Sequence, residues 1–247
     1  MKKNSIKSMI PNITTLIGLC FGITAIRFAL SNQFELSVIC IVMASVCDVL
    51  DGRFSRFFKS ESRLGAELDS LADFLNFGIA PGLLIYISIL QDSGITAWIA
   101  ILTFIVLSCL RLARFNATKS DIQGQCFIGL ATPAAAAVLA STIIAFENLF
   151  GSRVNPGFIV AIVYILAFLM VSNIKYPAFK KFEFRKRVSF TRFLLVVLVL
   201  YILATIPKIA LFVISFGYTI LGPIKEWKSQ KEKFNTSLDT VKHAENN

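Results

Sequence analysis

Long apolar stretches alternate with short basic patches along the chain. Eight apolar segments can be drawn, at about 10–30, 35–57, 66–90, 95–115, 126–147, 156–174, 190–206 and 208–222. A helix crossing a hydrocarbon core of ~30 Å takes about 20 residues, and the first six segments are long enough. The run from Phe190 to Leu221 is too long for one crossing and is split by Pro207, so it predicts a tight hairpin of two short spans. The first run continues to Leu30 without a small-residue cleavage site, so it reads as a span and not as a cleaved signal. The pattern predicts an all-α polytopic membrane helix bundle of about eight transmembrane helices. One membrane domain is expected over 1–224. A polar tail over 225–247 is expected to lie at the interface or to be disordered.

Composition sharpens this picture. Residues are 55% hydrophobic and only 16% charged, against about 25% charged in soluble domains. The net charge of +10 raises nucleic acid as a partner, but the basic residues sit beside the apolar runs and accompany no nucleic-acid motif. Topology explains them better. With the N-terminus in the cytoplasm, every Lys and Arg except Arg27, Arg153 and Lys208 falls on the cytoplasmic side, and both termini lie inside. Nucleic acid is therefore not expected. Membrane lipids are.

Candidate chemistry narrows quickly. The five cysteines form no CxxC pair and lie in or beside apolar runs, so neither a disulfide framework nor a zinc site is expected. The single histidine, His243, is in the polar tail, which argues against histidine-based catalysis. The 23 phenylalanines read as lipid-facing and packing surface, and Trp98 and Trp227 as interface residues.

The informative stretch runs from Cys47 to Gly82. Asp48 and Asp51 are three apart, and Asp69 and Asp73 four apart, so each pair shares one helix face. Two antiparallel helices joined by a short cytoplasmic connection can bring all four carboxylates into one pocket. Pairing with Arg53, Arg56 and Arg63 is the plain alternative. Four converging negative charges otherwise need cations. Two divalent ions would match them, and all-oxygen ligands suit Mg²⁺ or Mn²⁺. Such a site can hold a pyrophosphate. Gly52 and Gly65 allow close backbone approach, either to a ligand or to a packed helix.

The string Asp48-x2-Asp51-Gly52-x2-Ser55-Arg56-x8-Gly65-x3-Asp69-x3-Asp73 resembles the signature of the CDP-alcohol phosphatidyltransferases, with Ser55 in place of the usual alanine. The resemblance implies that Asp48, Asp51 and Asp69 are metal ligands. Asp73 would help hold the second metal and act as general base. Gly52 and Gly65 would sit against the cytidine nucleotide, and Arg56 would support that site. The implied reaction is attack by an alcohol on the phosphate next to diacylglycerol, with CMP leaving. Direct displacement and a covalent intermediate both fit. A homodimer is also implied.

Further strings look like the serine-using branch of that family. They are Pro11-Asn12 with Thr14 and Thr15, the run Arg111–Asn116 (RLARFN), the run Phe127–Ala136 with Ala131 replacing a proline, and Ser172–Pro177 (SNIKYP) followed by Phe179 and Lys180. CDP-diacylglycerol and L-serine are the substrates this implies. A serine carboxylate could be paired by Arg111 or Arg114, and Asn116 could bond its polar groups. The alternative for these arginines is cytoplasmic anchoring. Lys7, Lys180 and Lys181 read as lipid-phosphate contacts or anchors. Alternative acceptors are glycerol 3-phosphate, inositol phosphate and choline. A cation-coupled carrier using the carboxylates is the reading from another class. A bacterial inner membrane with a cytoplasm-facing site would suit the chemistry.

Overall fold

A computed structural model describes residues 3–58, 62–118, 126–150, 155–177 and 212–224. Helix α1 spans Lys3–Leu30 and α2 spans Phe34–Phe58. Helix α3 runs over Arg63–Leu90. It is α-helical over Arg63–Asp73 and Ala80–Ile85, with π-helical stretches at Phe74–Ile79 and Tyr86–Leu90. Then follow α4 (Gly94–Thr118), strand β1 (Cys126–Ile128), α5 (Thr132–Phe150), α6 (Pro156–Val171), strand β2 (Lys175–Pro177) and α7 (Phe212–Ile224). Of these, Pro11–Leu30, Arg63–Leu90 and Gly94–Ala117 are long and apolar enough to cross a membrane. The segments 190–206 and 225–247, with Lys180, Lys181, Trp227 and His243, lie outside the described residues.

The bundle is built around α1. Gly18, Gly22, Ala25 and Ala29 recur at helical spacing, and small residues on one face let neighbouring helices come close. A Cβ on Gly18 would stand 3.2 Å from the Cβ of Cys47 in α2, and one on Gly22 would overlap the Asn76 amide of α3. The buried Ser37 hydroxyl donates to the Ala25 carbonyl at 2.8 Å, tying α2 to α1. α1 packs along α2 and along the start of α3, whereas those two make few direct backbone approaches. They are neighbours through α1, and a gap stays open between their charged ends. α4 packs along α6.

Local signals explain the helix starts. Ser62 caps α3, accepting from the Gly65 N–H at 3.0 Å, and Asn155 caps α6, accepting from the Gly157 N–H at 2.9 Å. Pro156 follows at the first helical position, where its missing N–H costs nothing.

The fold is helical as expected, with one short addition that moves the start of the fifth segment's helix. β1 and β2 form an antiparallel pair, with Phe127 opposite Tyr176. The fifth segment therefore does not start as a helix at 126, and α5 begins only at Thr132. Gly129 turns the chain between the two, with φ +78° and its Cα so close to the Met170 carbonyl that a Cβ would overlap it. Its N–H donates to the Ile174 carbonyl at 2.9 Å, and the Leu130 N–H donates to the Leu169 carbonyl at 3.0 Å.

Candidate active site

The aspartate spacing does what a helix requires of it. Carboxylate oxygens of Asp48, Asp51 and Asp69 all lie within 4.8 Å of one another, one pair from α2 and the third from α3. The Asp73 carboxyl faces that of Asp48 at hydrogen-bonding distance. Asp51 is only 6% exposed. The Thr15 hydroxyl of α1 donates to its Oδ2 at 2.8 Å and also approaches the Pro11 carbonyl at 3.0 Å.

Unscreened by a counterion, such a group is unfavourable. Two unit charges about 5 Å apart at an effective dielectric of ~20 repel by about 3 kcal/mol. The donor set is the one a hard divalent cation takes, with carboxylate oxygens only. The nearby thiol of Cys47 sits on the α1-facing side of α2, against Gly18, so the gathered ligands include no soft atom.

A cleft of about 130 Å³ opens beside these carboxylates. Its walls are Pro11, Asn12 and Thr15 from α1, Asp51, Gly52 and Ser55 from α2, and Ser62, Gly65, Ala66 and Asp69 at the start of α3. The two glycines differ. A Cβ on Gly52 would meet nothing within 4 Å, so this backbone faces open space in the cleft. A Cβ on Gly65 would stand 2.7 Å from Asn12 Oδ1 and 3.0 Å from Ser62 Oγ, so here the close approach is also between helices. Ser55, the departure from the usual alanine, lines the cleft with its hydroxyl turned to the Gly52 carbonyl at 3.4 Å. Arg56 is exposed and folds back along α2, its Nε donating to the Gly52 carbonyl at 2.7 Å.

The strings RLARFN, FIGLATPAAA and SNIKYP meet in one block. Arg111, 8% exposed, donates from Nε to the Leu130 carbonyl at 2.9 Å, and its guanidinium carbon lies 5.5 Å from the centre of the Phe115 ring. It is within electrostatic range of Asp73 and of Tyr218 on α7. Arg114 donates to the Val171 carbonyl at 3.1 Å and to Asn173 Oδ1 at 2.8 Å. Asn116 donates to Ser70 Oγ at 2.8 Å, one residue from Asp69. Both arginines thus hold the block together, Arg114 through the Val171 carbonyl and Asn173 and Arg111 through the Leu130 carbonyl.

Sequence reasoning took Asn12 and Thr15 only as a mark of the serine-using branch. The structure places them in the cleft wall, one on Asp51 and the other against Gly65. The signal was there, since Asn12 and Thr15 are three apart and share a helix face.

A helical membrane core with an acidic cluster beside an open cleft defines a class, and residues 8–174 match the model of the CDP-alcohol phosphatidyltransferases. The chain belongs to that family, whose members use divalent metals, and it is an integral membrane protein. Its relatives include three proteins named CDP-diacylglycerol–serine O-phosphatidyltransferase. The Helicobacter pylori (strain J99) protein is 34% identical over 223 residues, covering 88% of this chain and 90% of the relative. The Methanocaldococcus jannaschii protein is 36% identical over 171 residues, covering 69% and 74%. The Mycobacterium bovis protein is 38% identical over 148 residues, covering 58% and 51%, so the chain spans about half the length of that relative.

Proposed function

We propose that this chain transfers the phosphatidyl group of CDP-diacylglycerol to L-serine and releases CMP, as a phosphatidylserine synthase. The observation that carries the reading is the convergence of the Asp48, Asp51 and Asp69 carboxylates, with Asp51 and Asp69 in the wall of the cleft. The relatives' names support serine as the acceptor.

The residue groups divide the work. The cleft between α1, α2 and α3 takes the cytidine diphosphate head, with Gly52 giving it room and Arg56 supporting the rim. Asp48, Asp51 and Asp69 hold divalent metal, Mg²⁺ or Mn²⁺, and Asp73 helps hold a second ion. Bound metal supplies charge neutralisation for the pyrophosphate and for the departing CMP. Asp73 accepts the proton of the serine hydroxyl as that oxygen attacks the phosphorus next to diacylglycerol and the bond to CMP breaks. Arg111 pairs the serine carboxylate. Its bond to Leu130 uses one of five N–H donors and fixes the guanidinium. Arg114 and Asn116 position the surrounding block.

The same proposal places the site at the cytoplasmic face of a bacterial inner membrane, with about eight spans and both termini inside. The skew of basic residues towards one side supports that orientation. A membrane domain over 1–224, a polar tail over 225–247 and a homodimer complete the proposed arrangement, the dimer resting on family membership.

The test is CMP release by purified protein in detergent with CDP-diacylglycerol and Mn²⁺ or Mg²⁺. L-serine, glycerol 3-phosphate, inositol phosphate and choline are compared as acceptors, with Asp73→Asn as control. Serine-dependent release lost in the control is expected. Release with a different acceptor alone would overturn the serine assignment. Metal-loaded, folded protein that releases no CMP would shift the reading to a carrier.

A further inference from the structure

Ser55 is the position at which this chain departs from the family signature, which usually has alanine there. It follows Asp51 by four residues on α2, so the two share a helix face, and both line the cleft. Serine is a poorer helix former than alanine, so the exchange gains α2 nothing by itself. The side chain is half-buried at the cleft wall and fills no core position.

Its hydroxyl is weakly engaged. It approaches the Gly52 carbonyl at 3.4 Å, longer than the usual O–H···O range of about 2.5–3.0 Å. The same carbonyl already accepts from Arg56 Nε at 2.7 Å. The hydroxyl can therefore turn from that carbonyl to a ligand at little cost. A Cβ on Gly52 would meet nothing within 4 Å, so open space adjoins this stretch of α2.

The cleft is chemically two-ended. Asp51 and Asp69 are the carboxylates in its wall, and none of the described residues that line it is Lys or Arg. A diphosphate is thus held there through metal at the carboxylates. Ser55 and Ser62 lie nearest the α2–α3 connection, where the lining is uncharged. Four residues of helix put Ser55 about 6 Å along the axis from Asp51. In a nucleoside diphosphate the sugar comes directly after the phosphates, and the base lies further out. One helical turn beyond the carboxylates is the place of the sugar.

Resting on the donor half of the reading above, we propose that Ser55 is a specificity residue of the nucleotide site, its hydroxyl bonding a ribose hydroxyl of the CDP-lipid. The ligand it selects is a ribonucleotide head over its deoxy counterpart. Alanine at this position offers no such bond.

Ser55→Ala tests this, because it installs the family's usual residue and the better helix former. Calorimetry on the full chain in detergent with Mn²⁺ measures binding of CMP, 2′-deoxy-CMP and 3′-deoxy-CMP to the unaltered protein and to the variant. Loss of one uncharged hydrogen bond predicts a rise of about three- to tenfold in Kd for CMP. For at least one deoxy analogue, the one lacking the hydroxyl that Ser55 bonds, Kd should change by less than about twofold. A serine that merely shaped the helix would shift all three nucleotides alike. Unchanged CMP binding would overturn the proposal. So would equal losses for all three nucleotides, which would place the hydroxyl on the phosphate or the base. If the unaltered protein binds no CMP, the donor-site reading and this inference fall together. If it binds CMP but shows no serine-dependent release, the serine assignment falls, and the comparison of the three nucleotides still decides the role of Ser55.

Discussion

Thr15→Val removes one hydroxyl from the cleft and replaces it with a methyl of nearly the same shape. The hydroxyl proton has two acceptors, the Pro11 carbonyl at 3.0 Å and Asp51 Oδ2 at 2.8 Å. The shorter bond goes to a carboxylate on a residue that is 6% exposed, so water is poorly placed to replace it. Hydrogen bonds to charged groups contribute about 1.5–3 kcal/mol, which corresponds to roughly ten- to a hundredfold in an equilibrium constant. Two consequences oppose each other. Losing the donor frees Asp51 from the orientation that aligns it with Asp48 and Asp69. It also returns electron density to Oδ2, which strengthens any bond to a cation. Orientation should win, since partners of metal ligands typically contribute 10–100-fold to affinity, but the offset places the effect near about tenfold. The assay is Mn²⁺ titration of CMP release, with Mn²⁺ binding followed separately by electron paramagnetic resonance. Half-saturating Mn²⁺ should rise about tenfold in both, while kcat at saturating metal stays within about threefold, and Thr15→Ser should restore the original value. A Mn²⁺ requirement that is unchanged or lower in Thr15→Val would refute the reasoning.

Other outcomes follow from the same geometry. Asp51→Asn removes one charge from the cluster, so in EDTA the variant should melt at a higher temperature than the unaltered protein, whereas the rise in melting temperature on adding Mn²⁺ should largely vanish. A lower melting temperature in EDTA would contradict the repulsion argument. Asp73→Asn should lower kcat by about 10²–10⁴-fold while leaving most of the Mn²⁺-induced stabilisation, which a thermal shift assay run beside CMP release would separate. Gly129→Ala should destabilise by more than the ~1–2 kcal/mol of a left-handed backbone alone, because its Cβ also overlaps the Met170 carbonyl; normal yield and melting temperature would argue against that turn. Gly65→Ala should raise KM for the CDP-lipid more than KM for serine, since the Cβ displaces Asn12 in the cleft wall.

Some of this was legible in the sequence, and the reasons are specific. Helical periodicity is local, so Asp48 with Asp51 and Asp69 with Asp73 could be assigned to helix faces from spacing alone. The apolar runs likewise located α2, α3, α4 and α6 to within about three residues at each end, whereas α1 begins well before the first run and α5 well after the start of the fifth. What escaped was non-local. Cys126–Ile128 reads as the apolar start of a span because its strand partner lies at Lys175–Pro177, and nothing within the segment announces the pairing. The π-helical stretch after Asp73 leaves no mark in the hydrophobic pattern either. The bond from Thr15 to Asp51 joins residues 36 positions apart, and only the packing of α1 on α2 creates it. Arg114 looked equivalent to Arg111 by charge. Their difference comes from what each meets and how deeply: for one the Val171 carbonyl and Asn173 at an exposed position, for the other the Leu130 carbonyl and the Phe115 ring in a buried one.

The pairing of β1 with β2 also sets an order of assembly as the chain emerges from the ribosome. All residues of the carboxylate cleft precede Phe74, so α1, α2 and the start of α3 can close around metal while most of the protein is still to be made. β1 then waits for about fifty further residues before its partner exists, which at about 5–20 residues per second is a pause of several seconds. During that interval Leu130 has no ladder to fix it, and Arg111 has no settled carbonyl to hold. On the proposed function, the nascent chain thus acquires its nucleotide cleft before its acceptor site.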